Sequence, residues 1–354
     1  MDWMKSRRVL AVAAVAATLG CRVAAAPETP ARHAPAPAVS TTLLEVATGV
    51  GLPVYVSRDM STPQPDIERA VVVLHGRARN ASDYFKTGLK AQAAAGEAGR
   101  VTLIVAPQFI DELDVRTFHV PDPVLRFTPE GWEGGEAALA PAPLSSFEAL
   151  DAVLGRLADR ERFPHLKAVV VAGHSGGGQV VQRYAILGHA DRLLAERGIA
   201  LSFVVANPSS YAYFSADRPD PAIAAHCPGF DDWKYGMHHL PAYAGTQTAV
   251  ALEAHYVSQD VSVLLGALDV DPAHPVLDKS CMAEAQGPTR WARGHAYMAA
   301  LRLRDQGAPR HRLYEIPGVG HDGDAMLTSA CGLHALFGVS GCVESGESRD
   351  LGRP

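Results

Sequence analysis

One stretch of the chain, residues 167–178, constrains the fold more than any other. It reads Lys-Ala-Val-Val-Val-Ala-Gly-His-Ser-Gly-Gly-Gly. Residues 168–172 are small or β-branched and apolar, without polar alternation, which is typical of a strand buried on both faces. A glycine-rich turn follows, and residues 179–187 then have the pattern of a helix. This order of strand, sharp turn and helix predicts a sheet shielded from solvent on both faces.

The turn contains the pattern Gly-x-Ser-x-Gly at residues 173–177. Between a strand and a helix, this pattern is typical of a nucleophile elbow, which holds a strained serine above the sheet with its hydroxyl exposed. Ser175 would be that serine. The pattern alone is weak evidence in a chain with 32 glycines, and a glycine-rich turn can also bind phosphate at a helix N-terminus. The turn itself has neither G-K-[ST] nor G-x-G-x-x-G, so the elbow is favoured.

Seven further segments have the pattern of strands, and helical patterns alternate with them. The predicted strands cover residues 43–47, 52–57, 70–74, 101–106, 168–172, 200–206, 261–265 and 311–316. The predicted helices cover residues 81–95, 179–187, 288–304 and 324–337, with another that Ser145 or Ser146 caps. The first two strands suggest an antiparallel hairpin that turns at residues 49–51. The alternation predicts an α/β fold: a mostly parallel central sheet of about eight strands with helices on both faces.

Two long irregular stretches interrupt this alternation, at residues 107–143 and 208–256. Loops of that length in a compact domain are usually functional or carry small elements of their own. Both are rich in aromatic residues, so we predict that they are cap insertions of one catalytic domain, residues 41–345, and that they shape its substrate pockets. Aromatic loops can equally form local core.

Polar residues that could activate Ser175 follow two later strands. A serine hydroxyl needs a base within hydrogen-bond distance, and the base needs an orienting carboxylate. His321 is the candidate base among 15 histidines, because it follows the last strand in a Gly-Val-Gly-His turn. Asp269 comes first after strand 261–265 and is the candidate carboxylate, with Asp271 as the alternative. As a purely structural residue, Asp269 would close the turn before Pro272.

Two backbone N–H groups must also stabilise the oxyanion that forms during acyl transfer. Gly176 supplies one candidate, since it follows the nucleophile. Arg77 supplies the other, because it follows His75-Gly76 at the end of strand 70–74. His174, next to Ser175, is predicted to be structural. The adjacent pair His238-His239 lacks helical ligand spacing, so no metal site is predicted.

Together these segments resemble the α/β-hydrolase superfamily over about residues 43–340, and the order Ser175, Asp269, His321 is the one that superfamily uses. The segments are Val71-Val-Val-Leu-His-Gly76, Gly173-His-Ser-Gly-Gly-Gly178, Leu264-Leu-Gly-Ala-Leu-Asp269 and Gly318-Val-Gly-His321. The chain is also similar to exported members with segments like Asn207-Pro-Ser-Ser-Tyr-Ala-Tyr213 and Asp232-Trp-Lys-Tyr-Gly236. The resemblance implies a serine hydrolase that forms an acyl-enzyme without a cofactor, but it implies no particular substrate.

The N-terminus predicts export. Residues 1–26 have a basic start, an apolar core of eleven residues at 9–19 and small residues at 24–26, as in a signal peptide. Thr18-Leu-Gly-Cys21 resembles a lipobox, so Cys21 could carry a lipid anchor. Residues 27–40 are rich in Pro and Ala and predict a linker. The protein would then be periplasmic or secreted, or a membrane-anchored lipoprotein.

The net charge bears on the binding partner, and the cysteine content bears on disulfide bonds. The net charge is −6, and removal of residues 1–26, with four basic residues and one acidic residue, makes it −9. An acidic chain without a basic patch argues against a nucleic-acid partner. Four cysteines remain, which allow three pairings. Sequence proximity favours Cys331 with Cys342 and Cys227 with Cys281, while free buried thiols are the alternative.

The sequence therefore predicts an exported serine hydrolase for a small-molecule or lipid-like ester. A peptidase or amidase, or an acyltransferase, could use the same three side chains. A binding protein on this fold would be expected to lack one of them. Neither the substrate nor the oligomeric state follows from the sequence.

Overall fold

The computed structural model describes residues 34–304 and 310–343. Within these ranges, eight strands form one twisted sheet in the order β1-β2-β4-β3-β7-β8-β9-β10, and β5 and β6 form a separate pair. Pairing is antiparallel for β1 with β2 and for β2 with β4, and parallel from β4 to β10. The prediction of about eight strands in a mostly parallel sheet is thus confirmed. The strands are β1 (Leu43–Ala47), β2 (Val50–Val56), β3 (Arg69–Leu74), β4 (Thr102–Pro107), β5 (Ile110–Asp111), β6 (Arg126–Phe127), β7 (Ala168–His174), β8 (Ala200–Ala206), β9 (Val261–Gly266) and β10 (His311–Ile316).

Helices cover both faces of the sheet. Those that the structure describes are α1 (Ala81–Ala94), α2 (Glu97–Arg100), α3 (Glu112–Phe118), α4 (Ser146–Leu157), α5 (Gly176–Leu187), α6 (Ala190–Glu196), α7 (Pro221–Ala225), α8 (Ala249–Ser258), α9 (Cys281–Glu284), α10 (Arg290–Arg302), α11 (Gly323–Thr328) and α12 (Ala330–Phe337). Ser145 caps α4 in a capping box with Glu148. The predicted helix 324–337 is wrong as a single element, because it breaks at Ser329, whose hydroxyl oxygen caps α12 by accepting from the Gly332 N–H.

The unbroken apolar strands are explained by two separate core clusters. On β3, Ala70, Val72 and Leu74 pack in one cluster, and the alternate residues Val71 and Val73 pack in the other. Side chains of a strand point alternately to opposite faces, so each face needs its own apolar set. The first cluster includes residues of α4 and α5, and the second includes residues of α1, α11 and α12.

The two irregular stretches contain small elements, as predicted for loops of their length. Residues 107–143 hold β5, α3, β6 and a 3-10 turn, and residues 208–256 hold α7, a 3-10 turn and most of α8. The pocket-lining prediction is wrong for the main aromatics of the first stretch. Phe109, Phe127 and Trp132 are fully buried and pack together, with Phe109 and Trp132 also against His75. These three side chains therefore belong to the core cluster that also contains Leu74 at the end of β3.

Two disulfides pair Cys227 with Cys281 and Cys331 with Cys342, as proximity favoured. Such bonds persist in oxidising compartments, which is compatible with the predicted export. The signal peptide, residues 1–26, and Cys21 lie outside the described residues. At the end of the predicted linker, the Ala36 N–H donates to Asp114 and Ser40 donates to the Val54 carbonyl, so this part lies against the domain. No helix in the described ranges is long and apolar enough to cross a membrane.

Candidate active site

Ser175 stands at the sharp turn between β7 and α5. Its φ of 59° and ψ of −121° lie in a region that L-residues rarely adopt. The turn is tight because Gly177 passes against β3: a Cβ built on Gly177 would lie 2.3 Å from the Leu74 carbonyl oxygen. The Ser175 N–H donates to the Ala206 carbonyl of β8 at 2.9 Å. The backbone is therefore strained and held from both neighbouring strands, as a nucleophile elbow requires.

His321 and Asp269 lie with Ser175 in one hydrogen-bonded chain. His321 Nε2 is 2.9 Å from Ser175 Oγ, and His321 Nδ1 is 2.8 Å from Asp269 Oδ2. Asp269 is buried and the His321 side chain is only 8% exposed. Because a carboxylate can only accept, the Nδ1 proton points at Asp269 and Nε2 is left to accept the serine proton.

The choice between Asp269 and Asp271 is clear from their positions. Asp271 is exposed and accepts from the Ala273 N–H within its own turn. Asp269 points inward because its loop is anchored at both ends: the Asp269 N–H donates to Gly266, and the Leu268 N–H donates to Val319. Only Asp269 faces His321.

Asn207, at the end of β8, connects the two loops that carry Asp269 and His321. Its Oδ1 accepts from the Gly266 N–H at 2.9 Å, and its Nδ2 donates to the Gly320 carbonyl at 3.1 Å. The side chain is fully buried and the backbone has φ of 41°. Sequence reasoning did not identify this role; Asn directly after a strand, in a site where asparagine tolerates φ above zero, was the available signal.

The two predicted oxyanion donors lie close together. A Cβ built on Gly176 would lie 3.0 Å from the Arg77 amide nitrogen. Within the described chain, neither N–H has a hydrogen-bond partner. The Arg77 side chain turns away to two acids: its Nε is 3.2 Å from Glu133, and its Nη2 donates to Glu130. Both N–H groups are therefore available beside Ser175.

Buried polar groups support the loop that carries Arg77. The Phe109 N–H donates to His75 Nε2 at 3.0 Å, so Nδ1 carries the proton and donates to the Gly76 carbonyl at 2.9 Å. Burial lowers the pKa of His75 from 6.5 to about 4, which keeps it neutral. Arg79, two residues after Arg77, has a φ of 54°. Its buried side chain pairs with the Asp114 carboxylate at 2.6 Å.

The remaining histidines named from the sequence have other surroundings. His174 is buried, with Nδ1 2.9 Å from the Tyr84 hydroxyl and its ring 4.5 Å from that of His321. Burial lowers its pKa well below the usual value, and the charges of His321 and Arg290 lower it further. The pair His238 and His239 is exposed and faces Asp231 and Asp232 instead of a common centre.

This geometry supports one kind of chemistry. A partly exposed serine with a histidine on its hydroxyl, a carboxylate behind the histidine and two unpaired N–H groups nearby can attack an acyl carbon and stabilise the oxyanion that results.

No protein-family model matches the sequence, and a search of curated proteins finds no match. Solved structures do match. LpqC, a poly(3-hydroxybutyrate) depolymerase from Bordetella parapertussis, is 23% identical with a TM-score of 0.57, and the alignment covers 82% of this chain and 86% of that one. Poly(aspartic acid) hydrolase-1 from Sphingomonas sp. KT-1 is 22% identical with a TM-score of 0.55, covering 82% and 96%. With the sheet order above, these likenesses confirm the predicted α/β-hydrolase fold.

Proposed function

We propose that this chain is an exported serine hydrolase that cleaves carboxylic esters through an acyl-enzyme. Ser175 attacks the acyl carbon while His321 takes its proton. His321 then returns the proton to the leaving alcohol, and Asp269 orients the imidazole throughout. The Gly176 and Arg77 N–H groups stabilise the oxyanion. In the second half, water attacks the acyl-enzyme with His321 again as base.

One observation carries this proposal: the unbroken chain from Ser175 Oγ through both His321 nitrogens to Asp269, at 2.9 and 2.8 Å. Further support comes from the names of the two similar structures, which are a depolymerase and a hydrolase. The fold alone hosts many reactions, so the side-chain geometry has the greater weight.

The apolar residues beside Asp269 favour an ester with an apolar part. Leu268, Val270 and Val276 are 48–60% exposed, although all three are large and apolar. Leu268 and Val270 directly flank Asp269, so the loop offers apolar surface at the rim of the site. Removing such surface from water on substrate binding is favourable.

A fluorophosphonate probe tests the nucleophile. We expect covalent label on Ser175 by mass spectrometry, no label in Ser175→Ala, and full label in Ser61→Ala, whose serine is exposed and remote from β7. The Ser175→Ala protein should lose at least about 10³-fold in kcat and keep its unfolding midpoint. Unlabelled Ser175 in folded wild-type protein would refute the proposal.

A substrate panel then separates the alternatives. We expect turnover of p-nitrophenyl esters with short and medium acyl chains, and little cleavage of peptide amides with the same acyl group. Faster cleavage of the amide would assign the chain to the peptidases. Transfer of the acyl group to an added alcohol in preference to water would make it an acyltransferase.

A further inference from the structure

We infer that Arg290 is a positioning residue of this site, which fixes the Asp269 carboxylate in the orientation that accepts from His321. The inference rests on the proposed function. Its basis is a buried guanidinium in contact with the carboxylate that pairs with the histidine.

The Arg290 side chain is fully committed to three partners. It lies in the first turn of α10, where Nη1 is 3.3 Å from Asp269 Oδ1, Nε donates to Ser209 Oγ at 2.9 Å, and Nη2 donates to the Val276 carbonyl at 2.7 Å. The exposed fractions of the Arg290 and Asp269 side chains are 0% and 2%. A planar fork held at three points fixes the carboxylate in one rotamer.

The two carboxylate oxygens of Asp269 therefore have different hydrogen-bond partners. Oδ1 faces Arg290, and Oδ2 accepts from His321 Nδ1. The Trp291 N–H, next along α10, donates to the Asp269 carbonyl at 3.3 Å, so the same helix holds both the backbone and the side chain of Asp269. Without Arg290, Oδ1 would be a buried carboxylate oxygen with no cation, and the side chain could rotate away from His321.

The charge of Arg290 also reaches the imidazoles at the site. His174 and His274 contact His321, with ring centres at 4.5 and 5.1 Å. The pKa of each is lowered, first by burial and further by the positive charge of Arg290. The guanidinium therefore acts electrostatically on both imidazoles that contact His321.

Two substitutions separate position from charge. Arg290→Gln removes both the fork and the charge. We expect kcat on a p-nitrophenyl ester to fall about tenfold or more, while KM changes little because no substrate contact is lost. Arg290→Lys keeps the charge but loses the fork, so kcat should fall in this variant too, again with little change in KM. Wild-type kcat in Arg290→Lys would refute the positioning role, and this variant decides if Arg290→Gln does not fold.

The matched control is Arg293→Gln on the same helix. Arg293 is equally buried and donates to the Gly287, Ser209 and Asp278 carbonyls, but it does not contact Asp269. Arg293→Gln should lower stability without the fall in kcat. An equal fall in kcat in Arg293→Gln would show that the effect is general loss of packing, which would overturn the inference.

The NMR chemical shift of the His321 Nδ1 proton, assigned against His321→Gln, does not depend on turnover. We expect it to move in Arg290→Gln, because the Asp269 carboxylate that accepts this proton is no longer fixed, and an unchanged value would overturn the inference even if esters are cleaved. Conversely, wild-type protein that neither cleaves esters nor takes the fluorophosphonate label refutes the proposed function separately.

Discussion

Replacing Asn207 by alanine should weaken the connection between the loops that carry Asp269 and His321, without changing either of these side chains or Ser175. Asn207 is the only side chain described here that hydrogen-bonds to both the Asp269 strand end, at Gly266, and the His321 turn, at Gly320. Alanine removes both bonds. It also keeps a φ of 41°, which asparagine adopts more easily than alanine.

The expected loss of stability is about 4 kcal/mol. The Gly266 N–H is buried, and leaving it unpaired costs about 2 kcal/mol. The Gly320 carbonyl is partly exposed and can find water, so its loss is about 1 kcal/mol. The left-handed backbone adds about 1 kcal/mol for alanine. Asn207→Gly is the matched variant: it loses the same two bonds but adopts a φ of 41° without steric cost, so about 3 kcal/mol is expected.

Urea unfolding followed by circular dichroism gives both values, and kcat measured in the absence of urea reports the site. We expect kcat to fall in both Asn207→Ala and Asn207→Gly, because the Asp269 and His321 loops can then move independently. A loss of stability below about 1 kcal/mol in either variant would refute the account, as would an unchanged kcat.

Two further outcomes follow from the loop that carries Arg77. Asp114→Ala leaves Arg79 buried with a weaker partner, and should destabilise the protein by about 3–5 kcal/mol in urea unfolding, whereas Asp83→Ala, in an exposed pair with Lys86, should change stability by less than about 0.5 kcal/mol. Burial lowers the pKa of His75 from 6.5 to about 4 in the folded protein. Between pH 6.5 and 4, the His75 imidazole is therefore protonated in the unfolded chain and neutral in the folded one. Stability is therefore fully present above pH 6.5 and falls as the pH drops toward 4, by about 3 kcal/mol; His75→Gln should flatten this part of a stability profile, and an unchanged slope would contradict the buried neutral imidazole.

The strands and the sharp turn at Ser175 could be predicted because their signals are local. Residues 168–172 are apolar on both faces, and both faces of β7 are indeed covered. The turn after β7 contains glycines where a side chain would collide with β3. The proximity of His321 and Asp269 to Ser175 could be predicted because each lies in the loop after a strand, and parallel strands bring their carboxyl ends to one edge.

The ends of two helices were less predictable from the sequence. The helix after the elbow starts at Gly176, three residues before the predicted start, since glycines predict a turn more strongly than a helix. The break between α11 and α12 depends on the Ser329 hydroxyl, which caps α12 and also donates to the Met326 carbonyl. A serine inside an apolar helical pattern gives no sign of that choice.

The residues behind the three reacting side chains could not be predicted, and the reason is physical. Arg290 and Asn207 act through contacts across 21 and 59 or more residues of sequence, between elements whose proximity exists only after the sheet has formed. An arginine in the first turn of a helix predicts a solvated charge, because most arginines are exposed. Here the helix begins under the Asp269 loop, so the guanidinium is enclosed and must find a carboxylate. The carboxylate it finds is the one that accepts from His321, so the geometry of this site depends on the tertiary structure and not on the Ser, His and Asp motifs alone.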